Sequence, residues 1–340
     1  MTNLTRKQKK LKKSPEKLIN GVCEQLKQLG SSELNEKSRN KIIDEVKKFL
    51  GIIKLVLFGV NDNKPNPDQV SSLARQVYNT DFFLLLISNL ESLEFESRKD
   101  VVQIFNNLLH RRLSTRLPTV EHIYNHKEIV DKLFESYNQP EIALNCGMML
   151  RECVHYETLA GYMLSGDNFW KLFEYVENTN FDVSSDTFST FRDLLVVQKE
   201  VAAHFLVEQY DKFFKKYNLL LQTSYVVKRQ SLKLLGELLL DRKNFQVMKK
   251  YISDDENLKL MMNLMNDKRK SIQFEAFHVF KIFVANPNKN EKIIRILSMN
   301  KKALIKFLSH FLEDRNDETF KEEKLILIEE IRKIPSKNKK

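Results

Sequence analysis

Turn formers are scarce in this chain, which has 8 glycines and 7 prolines in 340 residues. So few glycines cannot build the loops that cradle phosphates, and Walker-type and Rossmann nucleotide sites are excluded. With Leu, Lys, Glu and Phe plentiful in their place, the composition points to an all-α protein. Cysteine is scarcer still. Cys23, Cys146 and Cys153 are too scattered for a disulfide framework, and no apolar leader precedes the first charged residues. A cytoplasmic, reducing location is expected. The most apolar runs, such as Ile52 to Val60 and Phe82 to Leu90, fall well short of the ~20 residues a membrane-spanning helix needs.

Positive charge is in excess, at a formal +11, and its placement matters more than its size. Arg6, Lys7, Lys9, Lys10, Lys12, Lys13 and Lys17 against Glu16 make the front +6, and Arg332, Lys333, Lys337, Lys339 and Lys340 make the back +5. The body between them is neutral. Residues 1–13 therefore read as a basic disordered arm, 14–334 as a single helical-repeat domain and 335–340 as a basic tail.

Along the body, Ser14 can cap a helix that opens on Pro15 and continues through Leu18, Ile19, Val22, Leu26 and Leu29. A second helix is predicted from about Lys41 to Phe58, and Asn61 to Pro67 is a loop. Beyond Asp68 the sequence repeats loosely. The openings at Pro140 (PEIALNCGMMLREC), Phe181 (FDVSSDTFSTFRDL), Tyr225 (YVVKRQSLKLLGEL) and Lys270 (KSIQFEAFHVFKIF) are 41, 44 and 45 residues apart. Their seventh column is small (Cys146, Thr187, Ser231, Ala276), and the eleventh (Leu150, Phe191, Leu235, Phe280) and fourteenth (Cys153, Leu194, Leu238, Phe283) are apolar. Apolar pairs in Ile129–Phe134, Phe169–Phe173, Tyr210–Phe214, Leu258–Met262 and Leu304–Leu308 mark the last helix of each unit. Units of this length with two or three helices characterise armadillo and HEAT arrays. The expected fold is a curved, right-handed armadillo/HEAT-like solenoid of about six repeats, a rod whose long concave side suits protein recognition.

Candidate chemistry is thin. His122 and His126 stand i, i+4 as in zinc proteases, but Ile123 occupies the place of the catalytic Glu and no third ligand is near, so two surface or cap histidines are expected. Cys146 and Cys153, with His155 close by, fall in the buried columns, where a thiol stays protonated. Asp254, Asp255 and Glu256 lack the alternating pattern and central glycine of a calcium loop and read as an acidic first turn. Trp170, the only tryptophan, is expected to be buried with its neighbours. No enzyme, metal site, cofactor or small-molecule substrate is expected.

One repeat stands out. From Tyr225 to Lys270 eleven cations face six carboxylates, a local +5 inside a neutral body. Tyr225, Arg229 and Lys233 at i, i+4, i+8 line one edge of a helix, while Lys259 and Met262 at i, i+3 share a face of another. A cationic edge beside an adaptable methionine suits a peptide that offers a carboxylate and an aromatic ring. A solvated basic face with a core methionine is the plain alternative.

The stretches KDVVQIFNNLLHRR, PEIALNCGMMLREC, KRQSLKLLGELLLDR, NLKLMMNL and IQFEAFHVFKIFVANPNK closely resemble the calcium-binding protein 39 family, the Mo-type scaffolds related to yeast Hym proteins. The likeness runs from about Ser14 to Ile334 and leaves out the lysine-rich front. It implies a non-catalytic, armadillo-like scaffold for signalling and cell polarity, serving the liver-kinase-B kinase, its pseudokinase adaptor and kinases of the sterile-twenty class. It further implies a pocket for a C-terminal Trp-Glu-Phe motif, carried over to Arg229, Lys259 and Met262, and a kinase contact carried over to Arg242 and Phe245. The alternative is an armadillo-type nucleic-acid or cargo adaptor that uses the basic tails and the repeat from Tyr225; nucleic acid is the weaker expectation because the body is neutral.

Overall fold

A computed structural model of the chain describes residues 14–30, 34–59 and 64–335. The basic arm and the last five residues lie outside that range, as does part of the expected 61–67 loop. Among the described residues no strand forms, and no helix is long and apolar enough to cross a membrane. Two compact units divide at Val201 and Ala202. The first holds α1 (Pro15–Leu29), α2 (Glu36–Phe58), α3 (Pro67–Tyr78), α4 (Phe82–Ser88), α5 (Phe95–Leu109), α6 (Pro118–Asn125), α7 (Glu128–Glu135), α8 (Pro140–Val154), α9 (Glu157–Ser165), α10 (Asp167–Val176) and α11 (Phe181–Val196). The boundary cuts α12 (Lys199–Glu208). The second holds α13 (Tyr210–Leu220), α14 (Tyr225–Leu240), α15 (Phe245–Tyr251), α16 (Asp255–Met265), α17 (Lys270–Ala285), α18 (Glu291–Ser309) and α19 (Glu318–Lys333).

The four repeat openings coincide with the first residues of α8, α11, α14 and α17. Within the first unit α5, α8 and α11 pack in succession, and within the second α14 packs on α17 and α17 on α19. This is the armadillo-like helical-repeat arrangement. The seventh and eleventh columns are 0% exposed at all eight positions, and the fourteenth column is at most 1% exposed. Among the described residues the Thr187 and Ser231 hydroxyls have no hydrogen-bond partner, so it is small size that suits them to this column.

Local chemistry sets the helix starts. Pro15, Pro67, Pro118 and Pro140 occupy first turns, where a missing N–H costs nothing. Asn35 accepts a hydrogen bond from the Ser38 N–H at 2.9 Å and starts α2 at Glu36, a turn earlier than Lys41. Ser14 precedes α1 as expected but makes no capping bond. Asp254 caps α16 by accepting from the Glu256 N–H at 2.9 Å.

The histidine pair resolves unequally. His126 is the C-cap of α6, but His122 is no surface residue: it is half-buried against Tyr78 and Phe83, with ring centroids 5.4 and 6.3 Å away. Burial, and next the neighbouring His126, lower the His122 pKa to about 4. The unfolded chain then takes up this proton first as pH falls from the ordinary 6.5. The contribution of a neutral His122 is complete above pH 6.5, and something of order 3 kcal/mol is lost on the way down to pH 4. Urea unfolding of His122→Asn should show a shallower loss of stability across that window than the parent chain. Parallel curves would refute it.

Cys146 and Cys153 are fully buried, and burial pushes the Cys146 thiol up to about 12 and the Cys153 thiol upward as well. Trp170 is half-buried rather than enclosed, and it stacks on Phe173 at 6.0 Å with an 11° interplanar angle.

Candidate protein-docking site

The site is built on α14, α16 and α17 of the second unit. α14 buries Val227, Leu234, Leu235 and Leu238 and leaves Arg229 and Lys233 exposed one turn apart. Tyr225, at its start, is half-buried: its hydroxyl lies 2.8 Å from Ser271 Oγ, and the Arg269 guanidinium sits 4.6 Å over its ring. The cation–π stack orders Arg269 beside the α14 edge.

Lys228, next to Arg229, turns toward the segment between α16 and α17. Its Nζ is 3.3 Å from Asp267 Oδ2, with the two side chains 16% and 18% exposed. Burial alone would raise the Asp267 pKa, but the Arg269 N–H, donating at 3.0 Å, and the Lys228 ammonium outweigh it and hold the carboxyl below its usual range. The turn between α16 and α17 is thereby tied to α14. Farther along α17, Glu275 is half-buried; burial raises its pKa while Arg229, Lys233 and Arg315 act against that rise. The charges of Arg229 and Lys233 thus both favour the ionised form of Glu275.

On α16, Lys259 is held by its own helix, at 2.9 Å from Asp255 Oδ2 and 2.6 Å from Glu256 Oε1, and remains 46% exposed. The Glu256 bond, followed by that from Asp255, raises its pKa. Met262 is half-buried, whereas Met261 and Met265 are core residues at 0% and 1% exposure. α17 packs against both α14 and α16 and is the element common to the two groups.

The end of α14 carries a second surface. Asp241 accepts from the Lys243 N–H and the Asn244 amide donates to the Leu238 carbonyl, each at 2.9 Å. These bonds pin a short 3-10 turn over Arg242–Asn244, leaving Arg242 exposed and Phe245 at 56% exposure. Phe245 lines an apolar groove of about 370 Å³ with Met248, Lys249, Ile252, Ile282 and Pro287. Among the described residues, no group of three or more His, Cys, Asp or Glu is placed to hold a metal ion.

The family model described as Mo25-like matches residues 5–335. The chain belongs to the Mo25-like family. It is 48% identical over 304 residues to the mouse protein named calcium-binding protein 39-like, covering 89% of this chain and 90% of the relative. A fission-yeast Mo25-like protein, from Schizosaccharomyces pombe, is 44% identical over 324 residues, or 95% and 97% of the two chains. MO25-like protein 2 of Caenorhabditis elegans is 48% identical over 302 residues, 88% and 89% of the two. A designed armadillo repeat protein covers 77% of this chain at 11% identity and a TM-score of 0.42. So low a likeness carries nothing, and the repeat reading rests on the helix packing above.

In this Mo25-like chain the expected site residues fall into three groups. Tyr225, Arg229 and Lys233 share the α14 edge, Lys259 and Met262 share α16, and Arg242 with Phe245 mark the groove at the end of α14. Among the described residues no ion pair or hydrogen bond joins Lys259 to the α14 edge. Sequence reading counted Asp267 among the six opposing carboxylates without pairing it to Lys228 and did not single out Glu275, because each stands about 40 residues from the cations it faces. On α17, Phe277, Phe280 and Phe283 are fully buried, whereas Phe274 is half-exposed under Arg315 at 3.5 Å. The Phe245 groove had a signal in Phe245, Met248 and Ile252 at i, i+3, i+7.

Proposed function

We propose that the chain is a non-catalytic scaffold that binds a protein kinase or pseudokinase and stabilises its active conformation. The observation that carries the reading is the exposed Arg229–Lys233 edge of α14, two cations one turn apart whose charge favours the ionised form of the half-buried Glu275. A peptide carboxylate arriving there meets the positive charge of two exposed side chains. The half-buried Met262 offers an adaptable apolar contact for an aromatic ring of the same peptide. A C-terminal Trp-Glu-Phe-like segment has this combination of groups.

The second contact belongs to Arg242 and Phe245. An exposed ring at the mouth of an apolar groove, flanked by a guanidinium, can hold one helix of a kinase domain inward. A scaffold that binds the active arrangement more tightly shifts the population by that difference in affinity and transfers no phosphate itself. Keeping the kinase's lysine-to-glutamate ion pair assembled is enough to raise its activity. Cytoplasmic signalling is the setting in which such a scaffold would work.

The test is fluorescence anisotropy with a labelled peptide ending in Trp-Glu-Phe. Arg229→Ala and Met262→Ala should each weaken binding at least tenfold, about 1.4 kcal/mol, while the melting temperature stays within roughly 2 °C of the parent because neither side chain is buried in the core. Binding equal to the parent in both variants would overturn the proposal.

A further inference from the structure

The outer face of α18 carries a cationic strip that the docking site does not use. Lys292, Arg295, Met299, Lys302 and Lys306 follow one another at steps of 3, 4, 3 and 4 residues, and all five are exposed, Met299 at 73%. At about 100° per residue they fall within about 80° of arc, on the side of the helix away from the buried Ile293, Leu297, Leu304 and Leu308. The strip is about 21 Å long and points straight into solvent.

Its charge is little compensated. Lys292 lies 3.6 Å from Asp255, but Arg295, Lys302 and Lys306 have no ion pair among the described residues, and Glu291 is the one carboxylate that α18 itself carries. An exposed thioether, Met299, sits in the middle of these cations with the exposed Ala303 beside it. More positive charge enters from one edge. Ser298 Oγ donates to the Pro335 carbonyl at 2.8 Å, so Pro335, the last described residue, lies beside Arg295 and Lys302, one turn to either side of Ser298. Lys337, Lys339 and Lys340 follow within five residues of Pro335, and therefore within about 18 Å of it.

We propose that the α18 strip lies on a membrane surface rich in anionic phospholipid. A strip on the outside of a single helix has no walls to hold a peptide, whereas a plane of lipid headgroups requires none. Headgroup phosphates and carboxylates take Lys292, Arg295, Lys302 and Lys306, while Met299 reaches the boundary with the acyl chains. A nucleic acid would satisfy the same cations but would leave the thioether against phosphate. Four cations at about fivefold in affinity each give a reversible, peripheral attachment, which the three tail lysines strengthen. Salt screens it. The attachment uses none of the side chains proposed for the peptide or the kinase, so it stands or falls apart from that reading.

Co-sedimentation of the full chain with vesicles tests this. At about 100 mM salt, phosphatidylcholine vesicles containing about 30% phosphatidylserine should carry the protein down, pure phosphatidylcholine vesicles should not, and about 500 mM salt should release it. Arg295→Glu with Lys302→Glu should weaken binding at least tenfold, and removal of residues 336–340 should weaken it severalfold without abolishing it. Met299→Gln, which leaves the charge alone, should weaken it about threefold. All the substituted residues are exposed, and circular dichroism should show each variant folded like the parent. A parent that ignores anionic vesicles, or a charge reversal without effect, would overturn the proposal. So would a truncation that alone abolishes binding, which would make the tail the site, or a Met299→Gln chain that binds like the parent, which would reduce the contact to charge. Binding to duplex DNA through Arg295 and Lys302, with anionic vesicles left unbound, would overturn it in favour of nucleic acid.

Discussion

Gly147→Ala should lower the melting temperature of the first unit by roughly 6–12 °C, corresponding to about 3 kcal/mol. The direction runs against helix propensity, which favours Ala over Gly inside a helix by up to ~1 kcal/mol. The reason is what the new methyl meets: Asp186 Oδ2 at 1.9 Å and the Tyr137 hydroxyl at 2.6 Å. Asp186 cannot swing aside freely. Its Oδ1 accepts from Arg151 Nη2 at 2.8 Å and its Oδ2 from the Tyr137 hydroxyl at 3.2 Å, while Arg151 Nη1 donates to Thr190 at 3.0 Å. The ion pair is 22% and 12% exposed, so displacing one member leaves a largely desolvated charge behind. Gly51→Ala in α2 is the matched control. Nothing lies within 4 Å of its new methyl, and it should stabilise by ~0.5–1 kcal/mol. Thermal melts by circular dichroism decide both, and a Gly147→Ala chain that melts with the parent would refute the first.

The second large effect is expected from Phe277→Ala, at about 3–5 kcal/mol. Phe277 is 0% exposed and its ring stacks on Phe311 at 5.8 Å and meets Phe320 edge-on at 5.0 Å. Phe311 precedes α19 and Phe320 belongs to it, so one ring joins α17 to the terminal hairpin. Losing it leaves a cavity and loosens the support behind Glu275 at once. Peptide binding should fall together with the melting temperature, whereas Met262→Ala should reduce binding alone. Hydrogen exchange would show the difference as faster exchange across α17 and α19 in the Phe277 variant, and unchanged exchange there would count against it.

Much of the architecture was legible beforehand. The columns through Cys146, Leu150 and Cys153 and their counterparts in later repeats set which face of each long helix is buried, because a 3.6-residue period admits one apolar stripe. Prolines at first turns marked helix starts for the same local reason. Where a start was misjudged, at Lys41 instead of Glu36, the missing information was equally local, a capping Asn35. His122 was harder: its burial depends on Tyr78 and Phe83, which come from other helices.

The docking surface divides along the same line. Sequence alone determined the helical-repeat class, the local excess of cations between Tyr225 and Lys270, and which residues of α14 share an edge, since these follow from composition and helical period. Only the tertiary structure decided that Lys228 turns inward to Asp267 while Arg229, one residue on, stays in solvent. A charge count cannot separate those two lysine-like signals. The partner carboxylates stand about 40 residues away in sequence, and their distance to each cation is set by how α14 packs on α17.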